Sequence, residues 1–184
     1  SISPKNAGDN PIDQVRAITN DIVCSFIKLQ SENKGTLAST LNITKKKIIP
    51  YIDLEYSTEL ALGSYWGQLD STQKKMFERD MKNSLINEYV GILSDLAIWE
   101  DIKISVNEDF SQNENLARVK VSLLLEDENS SATVILKLIR KSRWKIYDLE
   151  YQSISIIDIE RVGYDSKIKR QGVEKLIQKM LNKS

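Results

Sequence analysis

The sequence predicts an α+β fold, and three observations carry the prediction. Apolar residues recur every three or four positions from residue 15 to residue 96. The period then changes, and alternating or β-branched residues dominate from about 103 to 153. Helical spacing returns from about 159 to 181. Helices, then a block of strands, then helices describe a sheet with one face covered by helices. The 184 residues are read as one domain, 1–184. Its helical part spans about 11–97, its sheet about 101–153 and its C-terminal helices about 155–183.

Asn10-Pro11 reads as an N-cap followed by proline at the first helical position. Val15, Ile18, Ile22, Phe26 and Leu29 then mark an amphipathic helix over about 12–30. Gly35 is a break. A second helix is expected over about 36–48, before Pro50, and a third over about 53–62, ending at Gly63. Asp70 can cap the next helix, with Gln73 reaching back three residues later. Phe77, Met81, Leu85, Tyr89, Ile92, Leu93 and Leu96 form its stripe, over about 71–97.

Lys103 to Val106 and Arg118 to Glu126 read as strands, the second presenting Val119, Val121, Leu123 and Leu125 on one face. "EDENSS", 126–131, is a turn. "ATVILKLIRK", "RWKIYDLEY" and a short "SISII" are further strand candidates. Short connections predict an antiparallel meander of about four strands. Helical spacing from Ile159 to Ile168, a break at Gly172, and Val173, Leu176, Ile177, Met180 and Leu181 close the chain.

Composition removes several function classes. Lys+Arg and Asp+Glu each number 26, so there is no basic excess for nucleic acid. The run Lys45-Lys46-Lys47 reads as a solvated face. With no histidine, Ser-His-Asp and Cys-His catalysis, His-ligated zinc and imidazole proton shuttles are excluded. The single cysteine, Cys24, sits in an apolar helical pattern and reads as a small buried hydrophobe. No Gly-rich phosphate loop occurs, and no apolar run is long enough to cross a bilayer. Asp148, inside "WKIYDLEY", needs hydrogen-bond partners if buried. It reads as a carboxylate tying a strand to a neighbouring loop, with an acid/base role as the alternative.

What the chain has in abundance is large apolar side chains. Tyr51, Tyr56, Tyr65 and Trp66 cluster with Ile52, Leu54, Leu60, Leu62 and Leu69 around a short helix. A packed core and the lining of a space share this composition, so both readings stand.

Two motifs add a resemblance. The first is "IIPYIDLEYSTELALGSYWGQLDSTQKKMF". It carries Ile49, Pro50, Tyr51, Ile52, Asp53 and Leu54, then Leu62, Gly63, Trp66, Asp70 and Gln73. The second carries Trp144, Ile146, Tyr147, Asp148, Ser155, Ile156, Ile157, Arg161 and Gly172. Together they resemble the MlaC family, also known as the toluene-tolerance auxiliary component, over about 12–182. The chain departs from the family pattern at Leu54, where an aromatic is usual, and at the turn near Ser153 and Ser155, where a glycine is missing. Gly163 inside a helix is a third departure.

The resemblance implies an NTF2-like curved sheet with an N-terminal helical subdomain. It implies a periplasmic phospholipid carrier, its signal peptide removed, working between an inner-membrane Mla-type ABC transporter complex and an outer-membrane lipoprotein–porin complex. Such a carrier maintains outer-membrane lipid asymmetry, is a monomer, needs no cofactor, spans no membrane and performs no catalysis; the phospholipid is cargo. Under this reading Leu60, Leu62, Tyr65 and Trp66 line one side of a pocket. Phe77, Met81, Leu85 and Tyr89 contact tails from the long helix, and Val121, Leu123, Leu136, Leu138, Tyr147 and Leu149 form a sheet floor. The alternatives are a hopanoid or other lipid carrier of the same family, an interaction module that dimerises through an apolar sheet face, and an enzyme using Asp148.

Overall fold

The structure is a computed structural model that describes residues 10–97, 102–111, 113–125 and 131–183. Helix α1, Pro11–Ser31, starts as expected: the Asn10 Oδ1 accepts from the Ile12 N–H at 2.9 Å. Helix α2 is shorter than expected, Leu37–Ile43. Beyond it the chain underwinds into a π-helical turn, Thr44–Ile48, then tightens into a 3₁₀ turn, Ile49–Tyr51. Pro50 lacks the N–H a regular helix would need, and Thr44 donates its hydroxyl back to the Thr40 carbonyl at 2.9 Å.

Helix α3, Leu54–Leu62, is capped by Asp53, whose Oδ1 accepts from the Tyr56 N–H at 3.0 Å. It stops at Gly63, where φ 57° with ψ −125° is a glycine conformation. A 3₁₀ segment, Gly63–Gln68, leads to α4, Ser71–Ala97. Its predicted capping box is present: Gln73 N–H donates to Asp70 Oδ1 at 2.8 Å, and Asp70 N–H to Gln73 Oε1 at 3.0 Å.

The strands form one antiparallel meander in sequence order: β1 Ile102–Ser111, β2 Leu116–Leu125, β3 Ser131–Arg140, β4 Trp144–Tyr151 and a two-residue β5, Ile154–Ser155. Most of the expected turn at 126–131 lies outside the described residues. The "SISII" segment is only briefly a strand, because the Ser155 hydroxyl accepts from the Asp158 N–H at 3.1 Å and starts a helix. Helix α5 therefore begins at Ile156 rather than near 159, runs to Gln171, and is followed by α6, Val173–Leu181.

One sheet face turns to the helices. Ala117, Val119, Val121 and Leu123 alternate onto it from β2, and Val134, Leu136 and Leu138 from β3. On β4 the alternation is broken. Lys137 faces Asp148, yet Leu138 faces Ile146, so Tyr147 is an extra residue. The bulge lets Ile146 and Leu149, three residues apart, both point inward. Buried Val15, Ile18, Phe77, Met81, Leu85 and Tyr164 close the core from the helices.

Cys24 corrects its sequence reading: it is exposed. Nine residues after Val15, at about 100° per residue, it lies on the opposite side of α1 from that buried contact.

Candidate functional site

Between α1, α4 and the inner sheet face the packing is incomplete. A cavity of about 210 Å³ remains there, and the free space including its open mouth is about 1160 Å³. The sheet gives its floor: Ile102 and Ile104, Val121 and Leu123, Val134 and Leu136, Ile146 and Leu149. Helix α4 adds Tyr89, Ile92 and Leu93, and the π-helical turn adds Ile48. The remaining wall is α1, through Ile18, Ile22, Val23, Phe26 and Ile27, with Thr19 and Gln30 as its polar members.

Burial grades along this space. Ile18, Ile48, Tyr89 and Ile146 are all at most 5% exposed and form a closed end. Ile27, on the same wall, is 59% exposed and marks the mouth. Helix α1 is tied over the space by polar contacts at its outer side, chiefly the Lys47 Nζ contact to both Asp21 carboxylate oxygens at 3.1 Å. Burial pushes the Tyr89 hydroxyl's pKa well above the ordinary tyrosine value, and the charge of Asp148 adds to the shift, so Tyr89 is neutral.

The structure brings five of the sequence-selected side chains to this cavity: Tyr89, Val121, Leu123, Leu136 and Leu149. It places the others elsewhere. Phe77 and Met81 are fully buried, Leu85 is 3% exposed, and all three pack in the core under α4; Leu138 is likewise sealed. Tyr147, displaced by the bulge, meets Tyr56 edge-on at 5.0 Å. Leu62 is buried in the core, and Leu60 and Tyr65 meet α5. There Arg161 Nε donates to the Leu60 carbonyl at 3.1 Å, and the Tyr65 hydroxyl to Asp165 at 3.0 Å. Trp66 carries the Lys74 ammonium over its ring at 4.8 Å.

The α1 wall is what sequence reasoning missed. The signal was present in the adjacent apolar pairs Ile22-Val23 and Phe26-Ile27, which make the apolar face of α1 wider than a single stripe.

Two buried carboxylates brace the sheet beside the cavity without lining it. Asp148 Oδ2 accepts from Ser155 Oγ at 2.7 Å and from Lys137 Nζ at 3.0 Å; its Oδ1 accepts from the Leu149 and Ile157 N–H groups at 2.8 and 3.1 Å. This is the strand-to-loop tie read from the sequence, and it fixes α5 against β4. Asp53 does the same for α3. Its Oδ2 takes the Lys141 ammonium at 2.7 Å, and its N–H donates to the Ile146 carbonyl at 2.8 Å. Lys141 is held above the ordinary lysine value by that bond.

Among the described residues no cluster of three metal-ligating side chains forms, and no helix is long and apolar enough to cross a membrane.

Comparison with known proteins bears on the family and the fold. The profile of the MlaC protein family matches residues 17–182. The chain is 24% identical over 143 residues to the intermembrane phospholipid transport system binding protein MlaC of Haemophilus influenzae. That match covers 75% of this chain and 65% of the relative, so the chain spans a little under two-thirds of the curated relative's length. A phospholipid-binding protein from Ralstonia solanacearum, solved in complex with a phospholipid, has the same fold at a TM-score of 0.74. That likeness covers 91% of this chain and 93% of the other, at 19% identity. With α2 to α6, the sheet and both motifs inside the matched span, the chain belongs to the MlaC family.

Proposed function

We propose that this protein is a periplasmic phospholipid carrier whose acyl tails occupy the cavity between α1, α4 and the sheet. The observation that carries the reading is an apolar cavity with a closed end and an open mouth, in a chain of the MlaC family. The relative's role in an intermembrane phospholipid transport system and the neighbour's bound phospholipid support the same cargo class.

The physics suits transport rather than chemistry. Exposing a tail to water costs about 0.8 kcal/mol per methylene, so unassisted transfer between membranes is slow. A carrier needs an interior about as apolar as the bilayer, which makes each handover nearly balanced in free energy. Direction then comes from the partners: an inner-membrane ABC transporter complex and an outer-membrane lipoprotein–porin complex. The cargo must widen the cavity, since pockets that enclose small molecules hold about 300–1,000 Å³. The α1 wall is the part able to yield, because Val23, Phe26 and Ile27 are only partly covered by protein.

The test is mass spectrometry of the intact protein and of its organic extract after purification without detergent. We expect a diacyl phospholipid close to one per chain. A hopanoid would transfer the protein to a different lipid cargo. A chain still empty after incubation with phospholipid vesicles would end the carrier reading.

A further inference from the structure

Tyr89 brings a hydroxyl to the closed end of the cavity. It is 5% exposed and stands among Ile18, Ile48 and Ile146. Buried tyrosine hydroxyls ordinarily have a hydrogen-bond partner. Among the described residues this one has none, while burial and the charge of Asp148 both keep it neutral. Its oxygen is not sealed, because the Gln171 Oε1 is the sole described side-chain atom both unpaired and closed off from solvent. Tyr89 lines the cavity, so the free space beside this residue is the cavity.

We propose that the Tyr89 hydroxyl limits the affinity of the carrier for its cargo and so keeps release fast. The inference rests on the phospholipid-carrier reading. An empty cavity can solvate the hydroxyl with water. Acyl tails offer neither donor nor acceptor, so filling the closed end strands it, and a stranded buried polar group is costly. The ester carbonyls of a phospholipid do not relieve this, because they lie at the head-group end of the tails and therefore toward the mouth. A carrier with a fully apolar closed end would hold its cargo more tightly and surrender it more slowly. Tyr89 therefore acts against tight binding.

The experiment compares wild type with Tyr89→Phe. Each is loaded with a phosphatidylcholine carrying a fluorescent acyl chain, then mixed with quenching acceptor vesicles of unlabelled phosphatidylcholine. Tyr89→Phe is expected to release lipid at least about fivefold more slowly, with a matching gain in retention. Val121→Thr, which adds a hydroxyl to the cavity floor at nearly constant shape, is expected to release faster than wild type. Equal release by wild type and Tyr89→Phe would overturn the proposal. Faster release by Tyr89→Phe would overturn it too, and would show the hydroxyl bonding the lipid. Failure of the wild type to take up any lipid would instead remove the carrier reading itself.

Discussion

Lys137 and Asp148 form the most consequential polar pair in the sheet. Lys137 bridges Asp148 at 3.0 Å and Glu150 at 2.9 Å, and its side chain is 20% exposed against 4% for Asp148. Burial pulls the lysine pKa down, but hydrogen bonds to Glu150 and Asp148, with their charges, outweigh it and the net shift is upward. A folded-state value above the unfolded one means the stabilisation is complete below about pH 10.4 and is lost as pH rises through the folded value. Lys137→Met leaves a buried carboxylate without its counter-charge and is expected to lose about 2–3 kcal/mol at pH 7, discounted for partial exposure. Urea unfolding at a series of pH values checks both parts. The gap between wild type and variant should narrow above about pH 10.4, and a gap constant with pH would refute the assignment. Asp148 was legible in the sequence as a structural carboxylate because it interrupts an apolar strand. Its partners were not, since they follow from register and from a bulge that no local pattern marks.

At the scale of elements, turns and helix ends show where local sequence and backbone disagree. The β4–β5 turn places Gln152 at φ 52° and Ser153 at φ 65°, a left-handed pair usually occupied by Asn and Gly. The glycine missing from the family pattern is missing from a position that wants one. Ser153→Gly is therefore expected to raise stability by about 0.5–1 kcal/mol. Gly172 gives the complementary case. It separates α5 from α6 at φ 83° and ψ 160°, and nothing lies within 4 Å of where a Cβ would sit. Space is free, yet Gly172→Ala should cost about 1–3 kcal/mol from backbone strain alone. Thermal melts of the two variants should move in opposite directions. Element type was readable because periods of 3.6 and 2 separate cleanly in this chain, and caps at Asn10 and Asp70 marked two helix starts. The π-helical turn at Thr44–Ile48 and the early start of α5 were not: the first combines Pro50 with a side-chain bond from Thr44, and the second turns on a bond to Ser155.

For the whole molecule the question is which apolar residues fill space and which surround it. Composition cannot separate them, since both sets are Leu, Ile, Val, Phe and Tyr. One apolar stripe on α4 serves both purposes: Phe77, Met81 and Leu85 are sealed in the core, while one and two turns further on Tyr89 and Leu93 reach the cavity. The bulge on β4 divides that strand similarly, sending Leu149 to the cavity and Tyr147 to Tyr56. Long-range packing therefore decides the site, and a pair of substitutions separates the two roles. Leu123→Glu introduces a carboxylate that borders the free space of the cavity. Met81→Glu places the same group where Met81 is fully buried. An unpaired buried charge costs several kcal/mol, comparable to the total stability of a domain of this size. Circular dichroism should therefore find Met81→Glu unfolded or its carboxyl forced neutral. Leu123→Glu should keep its secondary structure and a cooperative melt while retaining at least about tenfold less phospholipid, a loss of about 1.4 kcal/mol or more. Lipid retained at the wild-type level in a folded Leu123→Glu protein would mean that the tails lie elsewhere. Unfolding of both variants would mean that the sheet face packs solid, with no space along it for cargo.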